Sequence, residues 1–453
     1  MRLAVVGAGW AGMAAAVEAA SRGIDVTVFE SARTLGGRAR ALPAQLPDGT
    51  PLTIDNGQHI LIGAYSDTLA LMQRVGLDLS QALLALPLAL PHTDGSGLQT
   101  PAWAAHWPAP LDALAAIATT RSWRWRERLA LVNASLRWQR QGFQCDPQLT
   151  VAELCARLPA RVVQELIEPL CVSALNTPTV DASAAVFLRV LRDALFGKGF
   201  AGFSASSLLL PRTDLSRLFP DAAAEWLLRH GGSTQMRIGT RVSTLRPLAT
   251  QWMLGHEGGE EAFDRVIWAT AASPAEKAIR QAADACDEST EPILKAWARS
   301  ARALPFTAIT TVYAWASGAR LASPMLALRA EPDAQTAPAQ FVFDRGQLSP
   351  ADPAAQGLLA FVVSTSGEDR DDLQTQVLEQ GRRQLGLPAL QAVQTVVEKR
   401  ATFACTPGLV RPVQAIAPGL WAAGDYVEGP YPATLEGAVR SGLAAARLAT
   451  EAH

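Results

Sequence analysis

Three glycines near the start of the chain have the spacing of a phosphate-binding turn. They lie in the hexapeptide Gly7-Ala8-Gly9-Trp10-Ala11-Gly12, which reads G-x-G-x-x-G. In such a turn Gly7 allows a tight bend, Gly9 lets the backbone approach a pyrophosphate, and Gly12 lets a helix pack closely on a strand. The first N–H groups of that helix attract the phosphates. The hexapeptide, with Trp10 and Ala11, is therefore predicted to bind the phosphates of a dinucleotide.

The elements around this turn are those that a dinucleotide site requires. Leu3 to Val6 is an apolar run typical of a buried parallel strand, and an Ala-rich stretch without proline then predicts a helix up to Gly23. Ile24 to Phe29 predicts a second strand, and Glu30 stands at its end. A carboxylate at this place can accept hydrogen bonds from both hydroxyls of an adenosine ribose. Strand, turn, helix, strand and acid in this order predict a Rossmann-type unit.

A second glycine-rich segment follows at Gly36-Gly37-Arg38. Two glycines and an arginine suit a loop that passes over phosphates, where Arg38 would form charge-assisted hydrogen bonds. The alternative is an ordinary Gly-Gly turn with a solvated arginine.

Composition narrows the class of protein. The chain has 453 residues, too many for one core, so more than one domain is expected. A formal net charge of −2 argues against nucleic acid as the main partner. Five cysteines without a C-x-x-C motif predict neither a disulfide framework nor a metal site. Without a signal-peptide pattern or a long apolar run, a cytoplasmic protein is expected, with peripheral contact to the inner face of the membrane left open.

Several motifs together resemble a known group of flavoproteins. Gly7-Ala8-Gly9, Glu30, Leu35-Gly36-Gly37-Arg38 and the loop Asp55-Asn56-Gly57-Gln58-His59 are similar to the FAD-dependent amine oxidase and phytoene desaturase superfamily. More narrowly, the run from Asp55 to Tyr65 resembles the bacterial hydroxysqualene dehydroxylases of hopanoid synthesis. The resemblance implies FAD as cofactor and an apolar triterpene as substrate.

The resemblance also implies further cofactor-binding residues. Val242, in a strand predicted from Met236 to Leu245, matches a valine whose backbone meets the adenine. The Gly424-Asp425 turn matches the segment at the phosphates and ribityl chain, and Thr434-Leu435 matches a helix start at the flavin pyrimidine. A helix N-terminus there stabilises the negative charge of reduced flavin. Gly57 completes this predicted FAD footprint.

The predicted fold class is α/β with α+β: a Rossmann-like FAD-binding domain with a parallel sheet, interleaved with a substrate domain of mixed sheet and helices. The FAD-binding domain is assigned to 1–88, 210–275 and 395–453. The substrate-binding domain is assigned to 89–209 and 276–394. Thr307 to Trp315 and Leu358 to Ser364 are predicted strands of the latter.

The activity that the resemblance implies is reductive removal of the hydroxyl of hydroxysqualene, with hydride from reduced FAD, to give squalene. Departure of the hydroxyl needs a proton. His59 is the candidate general acid and Asp55 its orienting partner, the alternative being that both only hold the loop in place. Two other enzymes of the superfamily remain open, a carotenoid desaturase and an amine oxidase. A dinucleotide-binding protein without turnover is a further alternative.

A tryptophan- and arginine-rich segment runs from Arg121 to Trp138. It could form an interfacial helix, with tryptophan at headgroup depth and arginine toward anionic lipid. The alternative is an ordinary amphipathic helix whose tryptophans enter the core. The sequence leaves the oligomeric state open.

Overall fold

The structure, a computed structural model, describes residues 1–105, 107, 110–329, 337–364 and 369–451. The strands of these residues are β1 Arg2–Val6, β2 Asp25–Glu30, β3 Ala41–Gln45, β4 Pro51–Asp55, β5 Leu61–Ile62, β6 Leu83–Leu86, β7 Ala89–Pro91, β8 Gly97–Gln99, β9 Leu208–Pro211, β10 Gln235–Ile238, β11 Val242–Leu248, β12 Gln251–His256, β13 Gly259–Phe263, β14 Arg265–Trp268, β15 Phe306–Trp315, β16 Met325–Ala327, β17 Phe341–Asp344, β18 Leu358–Ser364, β19 Gln391–Phe403, β20 Ala415–Ala417 and β21 Leu420–Ala422.

The helices are α1 Trp10–Ser21, α2 Ser66–Arg74, α3 Leu79–Ala82, α4 Leu111–Thr119, α5 Trp125–Arg140, α6 Val151–Leu154, α7 Ala160–Val162, α8 Glu168–Leu175, α9 Ala184–Phe196, α10 Leu215–Leu218, α11 Pro220–His230, α12 Ala272–Ala283, α13 Glu291–Arg302, α14 Arg345–Leu348, α15 Arg370–Leu385 and α16 Leu435–Glu451. Short 3-10 turns lie at Ala102–Ala104 and Pro353–Ala355, and a π-helical turn at Val163–Ile167 joins α7 to α8.

A six-stranded sheet carries the predicted Rossmann unit. Its strand order is β10-β2-β1-β14-β21-β20, and every pair in it is parallel except β20 with β21. Val5 of β1 lies between Val28 of β2 and Ile267 of β14. Leu3 to Val6 are buried, as expected for a strand covered on both faces. The sheet confirms the predicted α/β class.

The two ends of the chain pack on each other beside this sheet. Helices α1 and α16 share a buried cluster that includes Met13, Val17, Val439 and Leu443. A methyl carbon at Gly442 of α16 would lie only 2.1 Å from the carbonyl oxygen of Ala11, so the two helices approach backbone to backbone. The C-terminal helix is thus part of the nucleotide-binding half of the fold.

A second, antiparallel sheet has the order β16-β17-β18-β15-β19. The strands predicted at Thr307 to Trp315 and Leu358 to Ser364 are β15 and β18. Successive residues of β15 face opposite sides: Val312 joins a buried cluster with Val377 of α15, whereas Tyr313 joins the cluster that contains Leu131 of α5. Helices therefore cover both faces of this sheet.

Two of the predicted domain boundaries cut through strands. The boundary between 394 and 395 falls inside β19, which pairs with β15 of the second sheet on both sides of that boundary. The boundary between 209 and 210 falls inside β9, which pairs with β5 and β6. Both boundaries need correction, because sheet pairing links residues that the predicted boundaries assign to different domains.

The Trp/Arg segment forms α5 and the turn before it. Trp123 and Trp138 are buried, as in an ordinary amphipathic helix, but 66% of Trp125 is exposed. In the part of the chain that the structure describes, no helix is long and apolar enough to cross a membrane.

Candidate functional site

A cavity of about 780 Å³ lies where the N-terminal turn, the C-terminal segment and the second sheet meet. Gly7, Gly9, Trp10 and Ala11 line it. Gly7 has a φ of +109°, which favours glycine. Gly12 instead packs: a methyl carbon there would lie 1.8 Å from the carbonyl oxygen of Gly7. The structure therefore gives these glycines different tasks, a bend at Gly7 and close packing at Gly12.

Glu30 lines the cavity at the end of β2. One carboxylate oxygen accepts a hydrogen bond from the backbone N–H of Ala8 at 2.8 Å, and the other accepts one from Ala32 at 2.8 Å. A carboxylate has about four acceptor positions. The hydroxyl of Ser31 also donates to the second oxygen, at 3.4 Å, but this exposed hydroxyl can rotate to solvent. The carboxylate of Glu30 therefore keeps capacity for further donors while the backbone holds the side chain in place.

The Gly36-Gly37-Arg38 loop lies against the first turn. Gly36 donates to the carbonyl oxygen of Ala8 at 2.9 Å, and Gly36 and Gly37 have φ values of +101° and +61°. A methyl carbon at Gly37 would lie 3.3 Å from the Cα of Gly9. The two glycine segments thus form one backbone surface along the cavity.

Arg38 lines the cavity, and its binding of phosphates stays a prediction. The guanidinium donates to Asp425 and to the carbonyl oxygen of Ala401. Burial lowers the pKa of Arg38, but the charge of Asp425, its hydrogen bond and the nearby Glu398 and Tyr426 together raise it more, so this pKa lies above its ordinary value. Arg38 joins the N-terminal loop to β19 and to the C-terminal Gly424-Asp425 turn.

Val242 lines the cavity with Thr240 and Arg241. The strand predicted from Met236 to Leu245 is two strands, β10 and β11, in two different sheets. The chain bends between them at Gly239, which has a φ of +75°. This bend places Val242 at the first residue of β11 beside the cavity.

The C-terminal segment closes the cavity on the other side. Gly424, Asp425, Thr434 and Leu435 line it. Helix α16 begins at Leu435, and the hydroxyl of Thr434 accepts from the backbone N–H of Gly437 at 3.0 Å. Helices α1 and α16 therefore both start at this cavity, and both bring partial positive charge to it.

The residues of the Asp55 to His59 loop have two different environments. Asn56, Gly57, Gln58 and His59 line the cavity, and Asp55 is not among the described residues that do so. The buried Asp55 carboxylate accepts from the backbone N–H of Leu215 at 2.8 Å and lies 3.5 Å from the guanidinium of Arg345. The prediction that Asp55 orients His59 is wrong for this geometry, because its carboxylate is used on the far side of the loop.

His59 is held by its own loop. Its Nδ1 lies 2.9 Å from the carbonyl oxygen of Gly57, and a carbonyl can only accept, so Nδ1 carries the proton. In the neutral ring Nε2 is then an acceptor. Burial lowers the pKa of His59, the hydrogen bond to Gly57 raises it, and the charge of Arg38 lowers it, with a net decrease. His59 can donate from Nε2 only after protonation.

The second sheet supplies an apolar wall. Ile309 of β15, Phe341 and Phe343 of β17 and Val362 of β18 line the cavity. The polar glycine-rich surface and this wall lie on the same cavity, which suits a polar cofactor beside an apolar substrate.

Comparison with known proteins identifies the family of the chain. The profile of the family described as flavin containing amine oxidoreductase matches residues 10–450. The chain belongs to this family. This chain is 26% identical to a hydroxysqualene dehydroxylase from Rhodopseudomonas palustris, over 98% of this chain and 97% of that protein. It is 38% identical to a carotenoid phi-ring synthase from Streptomyces griseus, over only 28% of this chain and 24% of that protein.

Solved structures share the fold. Cyclohexylamine oxidase from Brevibacterium oxydans superposes with a TM-score of 0.69, over 99% of this chain and 98% of that one, at 15% identity. The fold of this chain, with a parallel sheet and a second, antiparallel sheet, is therefore shared with a solved structure.

The cofactor of the protein is FAD, and the residues of the cavity fit it. Glu30 keeps acceptor capacity for ribose hydroxyls, and a methyl carbon at Gly9 would meet only Gly37, at 3.9 Å. The hydroxyl of Tyr426 is buried and has no hydrogen-bond partner among the described residues, although Tyr426 lines the cavity. Such a buried, unpartnered donor is rare in proteins. A phosphate oxygen is a suitable acceptor for it.

Sequence reasoning missed Tyr426 and two other polar residues of the cavity. Tyr426 directly follows the Gly424-Asp425 turn, a position that could have indicated it. Asn56 donates from its amide to the carboxylate of Glu398 at 3.1 Å and to the carbonyl oxygen of Arg38 at 3.0 Å. Nothing in the local sequence of β19 singles out Glu398.

Asp55 is expected to stabilise the fold rather than to take part in chemistry. The Asp55→Ala variant should lose about 3 kcal/mol of unfolding free energy, because the backbone N–H of Leu215 and the guanidinium of Arg345, whose side chain is 6% exposed, lose the carboxyl oxygens beside them. Denaturant unfolding measures this loss. Asp55→Ala/Arg345→Met is the control and should recover part of it. A loss below about 0.5 kcal/mol, the level of an ordinary surface change, contradicts the assignment.

The raised pKa of Asp55 predicts that the stability of the protein depends on pH. Burial raises the pKa of Asp55 to about 6, even though Arg345 and the N–H of Leu215 lower it. The folded-state pKa therefore lies above the ordinary value of about 3.9. Because the folded protein binds this proton more tightly, the contribution of Asp55 to stability decreases as pH rises from about 4 to about 6. The difference in stability between wild type and Asp55→Ala should shrink over that interval.

Proposed function

We propose that the protein removes the hydroxyl of hydroxysqualene reductively to give squalene. The observation that carries the proposal is the cavity itself, in which a wall of Ile309, Phe341, Phe343 and Val362 faces a glycine-rich FAD cradle. Such a wall suits a long hydrocarbon with a single polar group. Similarity over nearly the whole chain to a hydroxysqualene dehydroxylase supports this substrate, whereas the similarity to a carotenoid enzyme covers about a quarter of the chain.

Reduced FAD, when bound, supplies hydride to the carbon that loses its hydroxyl. The chain contributes position, polarity and exclusion of water. The apolar wall holds the hydrocarbon, and the α16 N-terminus favours negative charge beside Thr434 and Leu435. The hydroxyl departs as water, so it must receive one proton. Protonated His59 can donate that proton from Nε2, the ring nitrogen that Gly57 leaves free.

A carotenoid desaturase remains the alternative, since an apolar wall also suits a polyene. Purified protein with chemically reduced flavin is incubated anaerobically with hydroxysqualene, and oxidised protein is incubated with phytoene. Formation of squalene in the first reaction is the expected result. A desaturated carotenoid in the second, without squalene in the first, supports the alternative. Flavin-containing protein that is inactive on both substrates contradicts the proposal.

Replacement of His59 tests its role as acid. In His59→Ala, turnover of hydroxysqualene should fall by about 100-fold or more, a typical contribution of a general acid, with normal flavin content. Because the pKa of His59 is lowered from about 6.5, the wild-type rate should decrease as pH rises through a value below 6.5. His59→Gln, which keeps a donor but cannot titrate, should lose that pH dependence. Normal turnover and normal flavin content in His59→Ala would show that the residue only shapes the loop.

A further inference from the structure

Large apolar side chains are exposed together on three elements next to one another. The 3-10 turn Ala102–Ala104 contacts α4, and α4 contacts α5. Arg128 fastens α5 to α4, since it donates to the carbonyl oxygens of Ala118 and Thr120, both at 2.6 Å. We call these exposed residues the α4–α5 surface: Trp103, Trp107, Leu111, Leu114, Trp125, Leu129 and Leu136.

The exposed residues occupy one side of each helix. On α5, Trp125, Leu129 and Leu136 are spaced by four and seven, so they lie along one face. The buried residues of α5, Leu131, Ala134 and Trp138, lie on another face. The outer face of an amphipathic helix is normally polar. This helix presents apolar side chains on both faces, which indicates that something covers the outer one.

The charge around these residues is positive. Arg121, Arg124 and Arg126 are exposed at the start of α5, and the guanidinium of Arg126 lies 5.4 Å from the Trp125 ring centroid. The acidic residues of the segment are already engaged. Asp112 is buried and accepts from Ser206, and Glu127 accepts from the backbone N–H of Arg124. Exposed tryptophan and leucine rimmed by arginine are complementary to an anionic lipid headgroup region.

The inner side of this region reaches the cavity wall. Trp123, Leu131 and Ala116 share one buried cluster with Phe341 and Phe343, which line the cavity. The α4–α5 surface is therefore the outside of the apolar layer that borders the site.

We propose that the α4–α5 surface docks this protein on a bilayer that contains anionic phospholipid. Tryptophan and leucine enter the headgroup boundary, and Arg121 and Arg126 contact the lipid charge. A second copy of the chain would bring the same arginines face to face, which disfavours it as the occupant. Docking does not depend on the identity of the substrate. It would give an apolar substrate a short way from lipid to cavity.

Vesicle co-sedimentation of the FAD-loaded protein tests the proposal. The wild type should bind vesicles of phosphatidylcholine with phosphatidylglycerol, and bind pure phosphatidylcholine more weakly. Trp125→Ser/Leu129→Ser/Leu136→Ser should lower the partition coefficient about tenfold or more on both. Arg121→Glu/Arg126→Glu should abolish the preference for the anionic vesicles. The matched control, Leu228→Ser/Val410→Ser, changes side chains that are 71% and 77% exposed elsewhere and should bind like the wild type.

Flavin content and far-ultraviolet circular dichroism equal to the wild type show that each variant is folded. The proposal is overturned if the wild type binds neither kind of vesicle, or if the serine variant binds as well as the control. It is also overturned if gel filtration shows a dimer that the serine substitutions dissociate while vesicle binding stays unchanged.

Discussion

Glu30→Ala protein is expected to retain very little flavin. Glu30 is the last residue of β2, and its side chain lines the cavity. The backbone N–H groups of Ala8 and Ala32 orient its two carboxylate oxygens. Its remaining acceptor capacity is what a ribose with two hydroxyls requires. Loss of two hydrogen bonds to a charged acceptor, at about 1.5 kcal/mol each, weakens FAD binding by about 100-fold or more. The flavin-to-protein absorbance ratio after purification and a titration with added FAD measure this loss of affinity.

Two further variants separate ribose binding from general damage. Glu30→Gln keeps one acceptor oxygen and should bind FAD with intermediate affinity. Glu225→Ala removes a carboxylate of α11 that pairs with Arg229 on the same helix, and it should retain wild-type flavin. Full flavin content in Glu30→Ala would contradict the assigned role, because the backbone contacts alone would then suffice.

Arg38→Ala is expected to lower both the stability of the protein and its flavin content. Asp425 is 9% exposed, and without Arg38 its carboxylate loses the guanidinium that donates to it. Breaking such a pair costs about 3 kcal/mol, at the low end for buried pairs since Arg38 is itself partly exposed. The contact to Ala401 is lost too, so the N-terminal loop is released from β19. Denaturant unfolding of wild type and variant measures the difference.

A double variant shows whether the pair is the cause. Arg38→Ala/Asp425→Asn removes the stranded charge and should recover at least about half of the lost stability. Arg38→Lys keeps the charge but not the planar fork that reaches two acceptors, so it should lie between wild type and Arg38→Ala. If the double variant is no more stable than Arg38→Ala, the penalty comes from lost packing and not from the unpaired carboxylate.

Much of the nucleotide-binding half could be predicted from the sequence, because its signals are local. A short apolar run, glycines at fixed spacing and an Ala-rich helix determine one strand-turn-helix-strand unit within thirty residues. The hairpin of β12 and β13 has the same local origin, since the two-residue turn Glu257-Gly258 joins its strands. In these segments the conformation is decided by neighbours a few residues away.

The second sheet was harder to predict. The strands β15 and β18 are clear in the sequence, but the membership of β19 is not, since it depends on pairing with a strand about ninety residues earlier along the chain. The sequence from Met236 to Leu245 alternates smoothly, and only the bend at Gly239 sends β10 and β11 into different sheets. Strand partners are selected by packing across the whole domain, which periodicity does not record.

By itself the sequence determined the strand-turn-helix unit at Gly7 to Gly12 and predicted a dinucleotide on it, and the motifs farther along the chain indicated FAD, the cofactor of the family. The tertiary structure alone decided how the polar residues are used. Asp55 turns away from His59 toward Leu215 and Arg345, and Arg38 reaches Asp425 across 387 positions of sequence. The physical reason is the separation along the chain over which each interaction acts. Steric limits on the backbone act between neighbouring residues, whereas a buried charge binds whichever opposite charge or donor the fold brings within hydrogen-bond distance.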